Sequence, residues 1–305
     1  RMDEVGKERG RKLELLVRVP PTLYDSSRIG LDVEAWIKDG LVDIVVAGGG
    51  FLPFEMPIRE FVKVASGTGC QVYGGLEALR WALDPEVLHA LAARFWDAGV
   101  DGIYLFNYVR TPNEWKRRVL SDMVSEERLP FLNKRYELDH SDRVAGKSGH
   151  HGAFANVLPS ASLPVFMDET LDDGGPVLSI DISDDISAAQ MDGTLGACTL
   201  ELGFDHFGDD DELRVSINGE SVSWDTRQVS NEGWEHLEFG VSNGQTTLVP
   251  GSVPGVLIRF DVSPLPFRKG INDLTVRIVR GSSSRFKPVV LREVRVSVNY
   301  KQDAL

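Results

Sequence analysis

Glu77 is the strongest candidate for a catalytic residue in the sequence. It follows an apolar segment and two glycines, Gly74 and Gly75, where a buried strand should end and shortly before a helix that begins near Asp84. Enzymes with parallel α/β barrels hold their catalytic groups at such strand ends. A glycosidase needs one carboxylate to protonate the leaving oxygen and another to attack the sugar or activate water. Glu77 is therefore a candidate catalytic carboxylate. The structural alternative is a helix cap or a surface salt bridge.

Five further side chains are candidates for binding a sugar at the same edge. Arginine and asparagine hydrogen-bond sugar hydroxyls, while tyrosine and tryptophan offer flat faces to sugar rings. The candidates lie at or near the predicted strand ends: Arg18, Tyr73, Trp81, Asn107 and Tyr108. For each aromatic residue, packing in the core is the alternative interpretation.

The elements that must position these residues recur along the first part of the chain. Apolar segments centred near positions 16, 45, 73 and 104 are spaced by about 30 residues, the size of a βα repeat. Helical stretches separate them, two of which follow the capping residues Asp32 and Asp84. This alternation predicts a parallel sheet covered by helices. The even repeat, without a glycine-rich phosphate turn, favours a barrel over a doubly wound sheet.

Only half of such a barrel fits the available length. A complete (β/α)8 barrel takes roughly 250 residues, and the periodic pattern ends near residue 128. We therefore expect residues 1–128 to form four βα units, the C-terminal half of a TIM barrel. Val17, Val45 and Leu105 are expected to be its inner, poorly covered side chains. Exposed inner side chains and unpaired sheet edges predict self-association through the incomplete barrel.

The remainder of the chain predicts a second domain. Residues 129–175 are rich in proline, glycine, serine and aspartate, which indicates an irregular connection. Residues 176–305 then alternate with period two, as at Leu213, Val215 and Ile217. The dipeptide at residues 218–219 is Asn-Gly, a strong signal for a type I′ hairpin. About eight such strands predict an antiparallel β-sandwich of jelly-roll type.

Composition excludes several classes of function. The 305-residue chain has a formal net charge of −13, which disfavours nucleic acids and anionic membranes as partners. No apolar run reaches the roughly 18 residues of a membrane-spanning helix. Cys70 and Cys198 fall in different predicted domains, so no disulfide framework is expected. The sequence alone does not determine the compartment.

Metal and cofactor sites find no support in the sequence. His150 and His151 lack a third ligand at a recognisable spacing, and the acidic residues 209–212 do not match a calcium-binding EF-hand loop. The Gly-x-Ser-x-Gly and His-Glu-x-x-His motifs of serine hydrolases and zinc proteases are absent. We expect no metal and no cofactor, and a carbohydrate as the partner.

Several motifs resemble one enzyme family when taken in order. Residues 31–46 (LDVEAWIKDGLVDIVV) are similar to the family-10-like glycosyl hydrolases, as are residues 18–20 (RVP), 73–77 (YGGLE) and 98–103 (AGVDGI). Residues 134–136 (KRY) add a weaker similarity. The resemblance implies a TIM-barrel hydrolase of polysaccharides or oligosaccharides, often exported, with an appended β-sandwich.

The resemblance also implies a role for Glu77. In the broad clan of such barrels the acid/base ends the fourth strand and the nucleophile ends the seventh. If the strands of this chain are the fifth to the eighth, Glu77 takes the place of the nucleophile, and the acid/base belongs to the missing N-terminal half. The alternative is a non-catalytic carbohydrate-binding or surface protein with a degenerate barrel.

Overall fold

Four parallel strands alternate with helices in the N-terminal part of the molecule. The computed structural model describes residues 2–48, 54–77, 84–106, 108, 113–140, 161–167, 175–242, 245–261, 266–281 and 287–301. The strands are β1 (Leu16–Val19), β2 (Ile44–Ala47), β3 (Gln71–Glu77) and β4 (Gly102–Phe106), paired in that order. The helices are α1 (Met2–Glu8), α2 (Leu23–Arg28), α3 (Val33–Lys38), α4 (Ile58–Ala65), α5 (Pro85–Ala98) and α6 (Asn113–Met123). The predicted α/β region with a parallel sheet is confirmed.

The predicted caps form as expected. The Asp32 carboxylate accepts a hydrogen bond from the backbone N–H of Ala35 at 3.1 Å, which satisfies one of the free amides of α3. Asp84 does the same for Glu86 at the start of α5, at 2.9 Å. Gly99 closes α5 with a φ of 85°, a left-handed conformation that glycine adopts at little cost.

The two faces of the parallel sheet have different surroundings. Side chains alternate along each strand, and the register sorts them into two sets. The first set, which we call the covered face, packs against the helices: Val17, Val19, Val45, Ala47, Val72, Gly74, Leu76, Ile103 and Leu105. The second set, the open face, consists of Leu16, Arg18, Ile44, Val46, Tyr73, Tyr104 and Phe106, all of which are partly or well exposed except Val46, which is fully buried. Val45 is fully buried, whereas Leu16 is 42% exposed.

This arrangement corrects one expectation. Val17, Val45 and Leu105 were expected to be inner, poorly covered side chains, but all three lie on the covered face, where Val45 is fully buried and Val17 and Leu105 are partly exposed. Their strands are apolar at nearly every position, so the sequence pattern does not say which alternate set meets the helices.

The sheet curls strongly towards its open face. The guanidinium carbon of Arg18, on β1, lies 4.1 Å from the ring centroid of Phe106, on β4. These are the two outermost strands of the sheet, and three interstrand spacings would hold them roughly 14 Å apart if the sheet were flat. Because both side chains project from one face, they meet only if that face is concave.

The C-terminal part consists of antiparallel sheets. One sheet has the order β10-β9-β15-β7, and a larger one has the order β11-β14-β8-β16-β5, with β6 also paired to β16. Strands β12 and β13 form a separate hairpin. Their bounds are β5 (Lys134–Glu137), β6 (Val165–Met167), β7 (Val177–Ile182), β8 (Leu195–Asp205), β9 (Glu212–Ile217), β10 (Glu220–Val222), β11 (Arg227–Ser230), β12 (Trp234–Ser242), β13 (Gln245–Val253), β14 (Val256–Phe260), β15 (Gly270–Arg280) and β16 (Val289–Tyr300). A short helix, α7 (Ile186–Met191), precedes β8. The predicted antiparallel pairing is confirmed.

The turn predicted between β9 and β10 forms, and two strands lie within the predicted irregular connection. Asn218 and Gly219 have φ angles of 53° and 84°, as a type I′ turn between β9 and β10 requires. Within the stretch read as an irregular connection, β5 and β6 pair with β16. The sequence of β5 is Lys-Arg-Tyr-Glu, which lacks the apolar pattern of a buried strand. Its charged side chains can be buried because they form ion pairs.

The helix α5 joins the two parts of the molecule. It lies against the parallel sheet on one side and against β5 and β7 on the other. Arg94 pairs with Asp181 of β7 at 3.2 Å, and Asp97 pairs with Lys269, just before β15, at 2.8 Å. Both cysteines are buried and free. None of the helices in the described ranges is long and apolar enough to span a membrane.

Candidate functional site

Glu77 is the last residue of β3, at the C-terminal edge of the parallel sheet. Its register partner on β4 is Phe106. The predicted strand end is therefore where the structure places it. The side chain of Glu77 lies outside the described part of the structure, as do Trp81 and Asn107 entirely. Their predicted roles stay predictions.

Arg18 is the predicted site residue whose placement is most informative. Its guanidinium stacks on the ring of Phe106, the register partner of Glu77. A cation–π contact at an exposed position contributes about 0.5–1 kcal/mol and fixes the plane of the guanidinium. Among the described residues Arg18 forms no salt bridge, so its N–H groups remain available to the oxygens of a ligand. The sequence analysis identified Arg18 as a site candidate but did not single out Phe106.

Tyr73 lies on the same concave face, below the strand end. Its ring lies over its register partner Gly102, where an added Cβ atom would come within 2.8 Å of the ring. Gly75 has a related function, because a Cβ atom there would lie 2.8 Å from the carbonyl oxygens of Ala47 and Gly48. The glycines thus let the ends of β2 and β3 approach closely and leave space for an aromatic ring.

Tyr108 follows β4 and is mostly buried. Its side chain is 8% exposed, and its hydroxyl has no hydrogen-bond partner within the part of the chain that the structure describes. Burial raises the pKa of Tyr108 to about 12, so the phenol is neutral at physiological pH. An unsatisfied buried hydroxyl costs about 1–3 kcal/mol and calls for a functional or structural reason.

Three more carboxylates follow strands β1 to β3 at this edge, and each is held in structural bonds. Asp25 accepts a hydrogen bond from the hydroxyl of Thr22 at 2.6 Å. Asp84, at the start of α5, pairs with Arg135 of β5 at 2.8 Å.

Glu55 is the most deeply engaged of the three. It accepts hydrogen bonds from the backbone N–H groups of Asp139 and Ser162, at 2.9 and 3.1 Å, and another from the Ser162 hydroxyl. Burial raises the pKa of Glu55, and these bonds oppose that shift. Asp139 reciprocates by accepting from the backbone of residues 54 and 55. The pair fastens the loop after β2 to the C-terminal part. No local sequence signal distinguishes Glu55, since its partners are about a hundred residues away.

The described residues offer no metal centre. No group of three or more histidine, cysteine, aspartate or glutamate side chains among them is placed to hold an ion. His150 and His151 lie outside the described residues. Asp211, in the acidic stretch before β9, accepts a hydrogen bond from the backbone N–H of Gly208 at 2.7 Å.

The chain matches no protein-family model and no curated protein sequence. The site itself is a concave sheet edge that combines a glutamate, a stacked arginine and tyrosines. Such a set can stabilise a positive charge, donate hydrogen bonds to oxygens and present flat apolar surfaces.

Proposed function

We propose that this chain carries the nucleophile and part of the sugar-binding surface of a glycoside hydrolase built on a (β/α)8 barrel. One observation carries the proposal. Arg18 of β1 stacks on Phe106 of β4, and Phe106 is the register partner of Glu77. Side chains of the two edge strands therefore meet near the end of β3, as they would inside the mouth of a barrel.

The fold proposal follows from the same curvature. Four βα units curl with their helices outside and their partly exposed side chains inside. Four further units would complete an eight-stranded barrel and would cover the open face. The two C-terminal antiparallel sheets would form a jelly-roll type of sandwich. The open face also supports the expected self-association, since Leu16 is exposed there.

In this proposal each residue has a distinct task. Glu77 attacks the anomeric carbon or stabilises the positive charge that develops on it. Arg18 and the hydroxyl of Tyr108 hold sugar oxygens, and Tyr73 offers its ring to a sugar face. Trp81 and Asn107 are proposed to extend the binding surface. The acid/base would come from the four further units. The substrate would be a polysaccharide or oligosaccharide.

The decisive experiment replaces Glu77 with Gln in a form of the protein that hydrolyses a glycan. The substitution keeps the shape but removes the charge, so we expect the rate to fall at least ~100-fold, the scale for loss of one preorganised electrostatic group. Stability should barely change, because a residue at a strand end contributes little to the core. Glu34→Gln, in an exposed i,i+4 pair with Lys38, is the matched control and should leave the rate unchanged. A Glu77→Gln variant with near wild-type activity would remove Glu77 from the mechanism.

A second function, non-catalytic carbohydrate binding, is favoured by a different observation. Asp25, Glu55 and Asp84, which also follow strands at this edge, are all held in structural bonds. Because of these bonds, none of the three is placed to act as the general acid of a glycosidase. Under this alternative, Arg18→Ala weakens glycan binding while neither parent nor variant hydrolyses the glycan. Hydrolysis that depends on Glu77 would rule the alternative out.

A further inference from the structure

A second cleft lies at the other end of the parallel sheet. It has a volume of about 670 Å³ and opens between the last turn of α5, residues 124–131, α7 and the end of β16. The last turn of α5 is next to the N-terminal end of β4, because helix and strand run in opposite directions. The cleft is therefore separate from the edge that carries Glu77. Among its lining residues are Trp96, Glu126, Phe131, Asp192, Lys269 and Tyr300.

The floor of the cleft is a rigid buried network around Asp184. This carboxylate accepts hydrogen bonds from the ammonium of Lys134 at 2.9 Å, from the hydroxyl of Tyr300 at 2.7 Å and from that of Tyr136 at 2.6 Å. Lys134 also donates to the carbonyl oxygens of Leu132 and Pro130. The three donor positions of Lys134 are thus accounted for. The floor supports the site without offering a free cation to a ligand.

The network also fixes an aromatic wall. The hydroxyl of Tyr300 is tied to Asp184, and its ring meets Phe131 edge to face at a centroid distance of 6.1 Å. Phe131 is 37% exposed and lines the cleft. Alanines 93, 188 and 189 line the cleft as well. Two aromatic rings at nearly right angles are thus held in place before any ligand arrives, and the ammonium of Lys134 lies 5.0 Å from the centroid of the Tyr300 ring.

The charge at the mouth is negative. The lining contains five carboxylates, Asp97, Glu126, Asp184, Asp185 and Asp192, against two lysines, Lys134 and Lys269, which gives a net charge of −3. Both lysines are paired with lining carboxylates, Lys134 with Asp184 and Lys269 with Asp97. Glu126 and Asp192 are exposed at the mouth. Their oxygens can accept hydrogen bonds from hydroxyl or ammonium groups and would repel an anion.

We propose that this cleft is a second binding site that takes a neutral or amine-bearing sugar unit. The apolar face of the sugar ring would lie against Phe131 and Tyr300, and its hydroxyl or ammonium groups would meet Glu126 and Asp192. The choice of a saccharide as the ligand rests on the proposed function. The position of the site, its apolar wall and its selection against anions follow from the cleft alone.

The test is a calorimetric titration of the full chain with three probes, the linear hexamers of glucose, glucosamine and galacturonic acid. We expect the glucosamine hexamer to bind most tightly and the galacturonic acid hexamer not to bind. Phe131→Ala should weaken binding about fivefold, the scale of one aromatic contact. Phe166→Ala is the matched control, since Phe166 is 67% exposed on β6 and does not line the cleft.

The double substitution Glu126→Gln with Asp192→Asn tests the charge separately. Both residues are exposed, so the fold should survive, and the variant should lose about threefold in affinity for the glucosamine hexamer with less change for the glucose hexamer. To remove the first site from the readout, the titrations are repeated with Arg18→Ala as the parent, in which Phe131→Ala should still weaken binding about fivefold.

If no hexamer binds, or if Phe131→Ala binds as well as Phe166→Ala, the second site is disproved. Hydrolysis that depends on Glu77 would be unaffected by that result. Equal binding of the acidic and amine-bearing hexamers would overturn the charge argument.

Discussion

The covered and open faces of the parallel sheet belong to the same four strands but meet different surroundings. On the covered face, Val45, Val72 and Leu76 are 1% exposed or less. On the open face, Arg18, Tyr73 and Phe106 remain partly exposed. At its centre the covered face forms a core with the helices, whereas Val17, Ile103 and Leu105 on its outer strands are partly buried. The open face is concave and carries side chains suited to binding. In the proposed function, stability and sugar binding are therefore divided between the two sides of one sheet.

Beyond the helices of the covered face lies a second layer, formed by strands β5 and β7. α5 buries residues around its whole circumference, since it packs on the sheet inwards and on β5 and β7 outwards. Helices that are apolar all round are typical of positions between two layers. Here the outward side includes buried polar residues, His89 and Arg94. The open face has no such second layer among the described residues. Three substitutions or sets of substitutions test this contrast.

The largest expected effect compares two phenylalanines. Phe95 of α5 is fully buried over Gly74 on the covered face, so Phe95→Ala should lower the free energy of unfolding by about 3–5 kcal/mol. Phe106 on the open face is partly exposed, and Phe106→Ala should cost about 1–2 kcal/mol, including the lost contact with Arg18. Urea denaturation of the full-length variants measures both. Equal costs would show that the open face is a closed core.

Glycine-to-alanine substitutions should lower the free energy of unfolding by less, and again more on the covered face than on the open face. An added Cβ atom at Gly74 would lie 2.3 Å from the ring of Phe95, which is locked in the core. Gly74→Ala should therefore cost about 1–3 kcal/mol through overpacking. At Gly102 the added atom would lie 2.8 Å from the ring of Tyr73, which can turn away on the open face.

For that reason Gly102→Ala should cost less than about 1 kcal/mol, offset in part by the reduced freedom of the unfolded chain. Thermal unfolding of the two variants side by side gives the comparison. A Gly102→Ala variant as unstable as Gly74→Ala would mean that Tyr73 is held as rigidly as Phe95.

These contrasts also explain what the sequence could predict. Strand and helix positions followed from apolar runs and from caps such as Asp32 and Asp84, which are local signals. The turn at Asn218 and Gly219 is local too. No local signal shows which face of the sheet the helices cover, and Val45 was therefore assigned to the wrong face. The strand β5 escaped notice because its charged residues are satisfied only by distant partners, as when Lys134 meets Asp184. For the candidate site, the positions of Glu77 and Arg18 at strand ends were readable, whereas the stacking of Arg18 on Phe106 depends on curvature.

The smallest expected effect uses pH to probe the outer side of α5. Burial lowers the pKa of His89, and its contact with Asp122, at 3.6 Å, opposes that shift without cancelling it. The other groups that face the ring are the carbonyl of Asn133, which bonds its Nδ1 atom at 3.1 Å, and the cations of Lys134 and Arg118. The ring is therefore neutral in the folded chain at pH 7.

In the unfolded chain the same ring titrates near its ordinary pKa of about 6.5. As the pH falls below that value, the unfolded state binds a proton that the folded state does not, so stability is lost, at a slope of at most about 1.4 kcal/mol per pH unit. This loss should start near pH 6.5 and stop once the folded-state pKa is passed. His89→Gln should flatten the free energy of unfolding between pH 7 and pH 5.5, while His206→Asn, at an exposed position with a φ of 60° that asparagine tolerates, should not. If His89→Gln leaves the slope unchanged, the ring has the same pKa in the folded and unfolded chains. If the wild type instead loses stability as the pH rises and His89→Gln removes that loss, the ring is protonated in the folded state and pairs with Asp122.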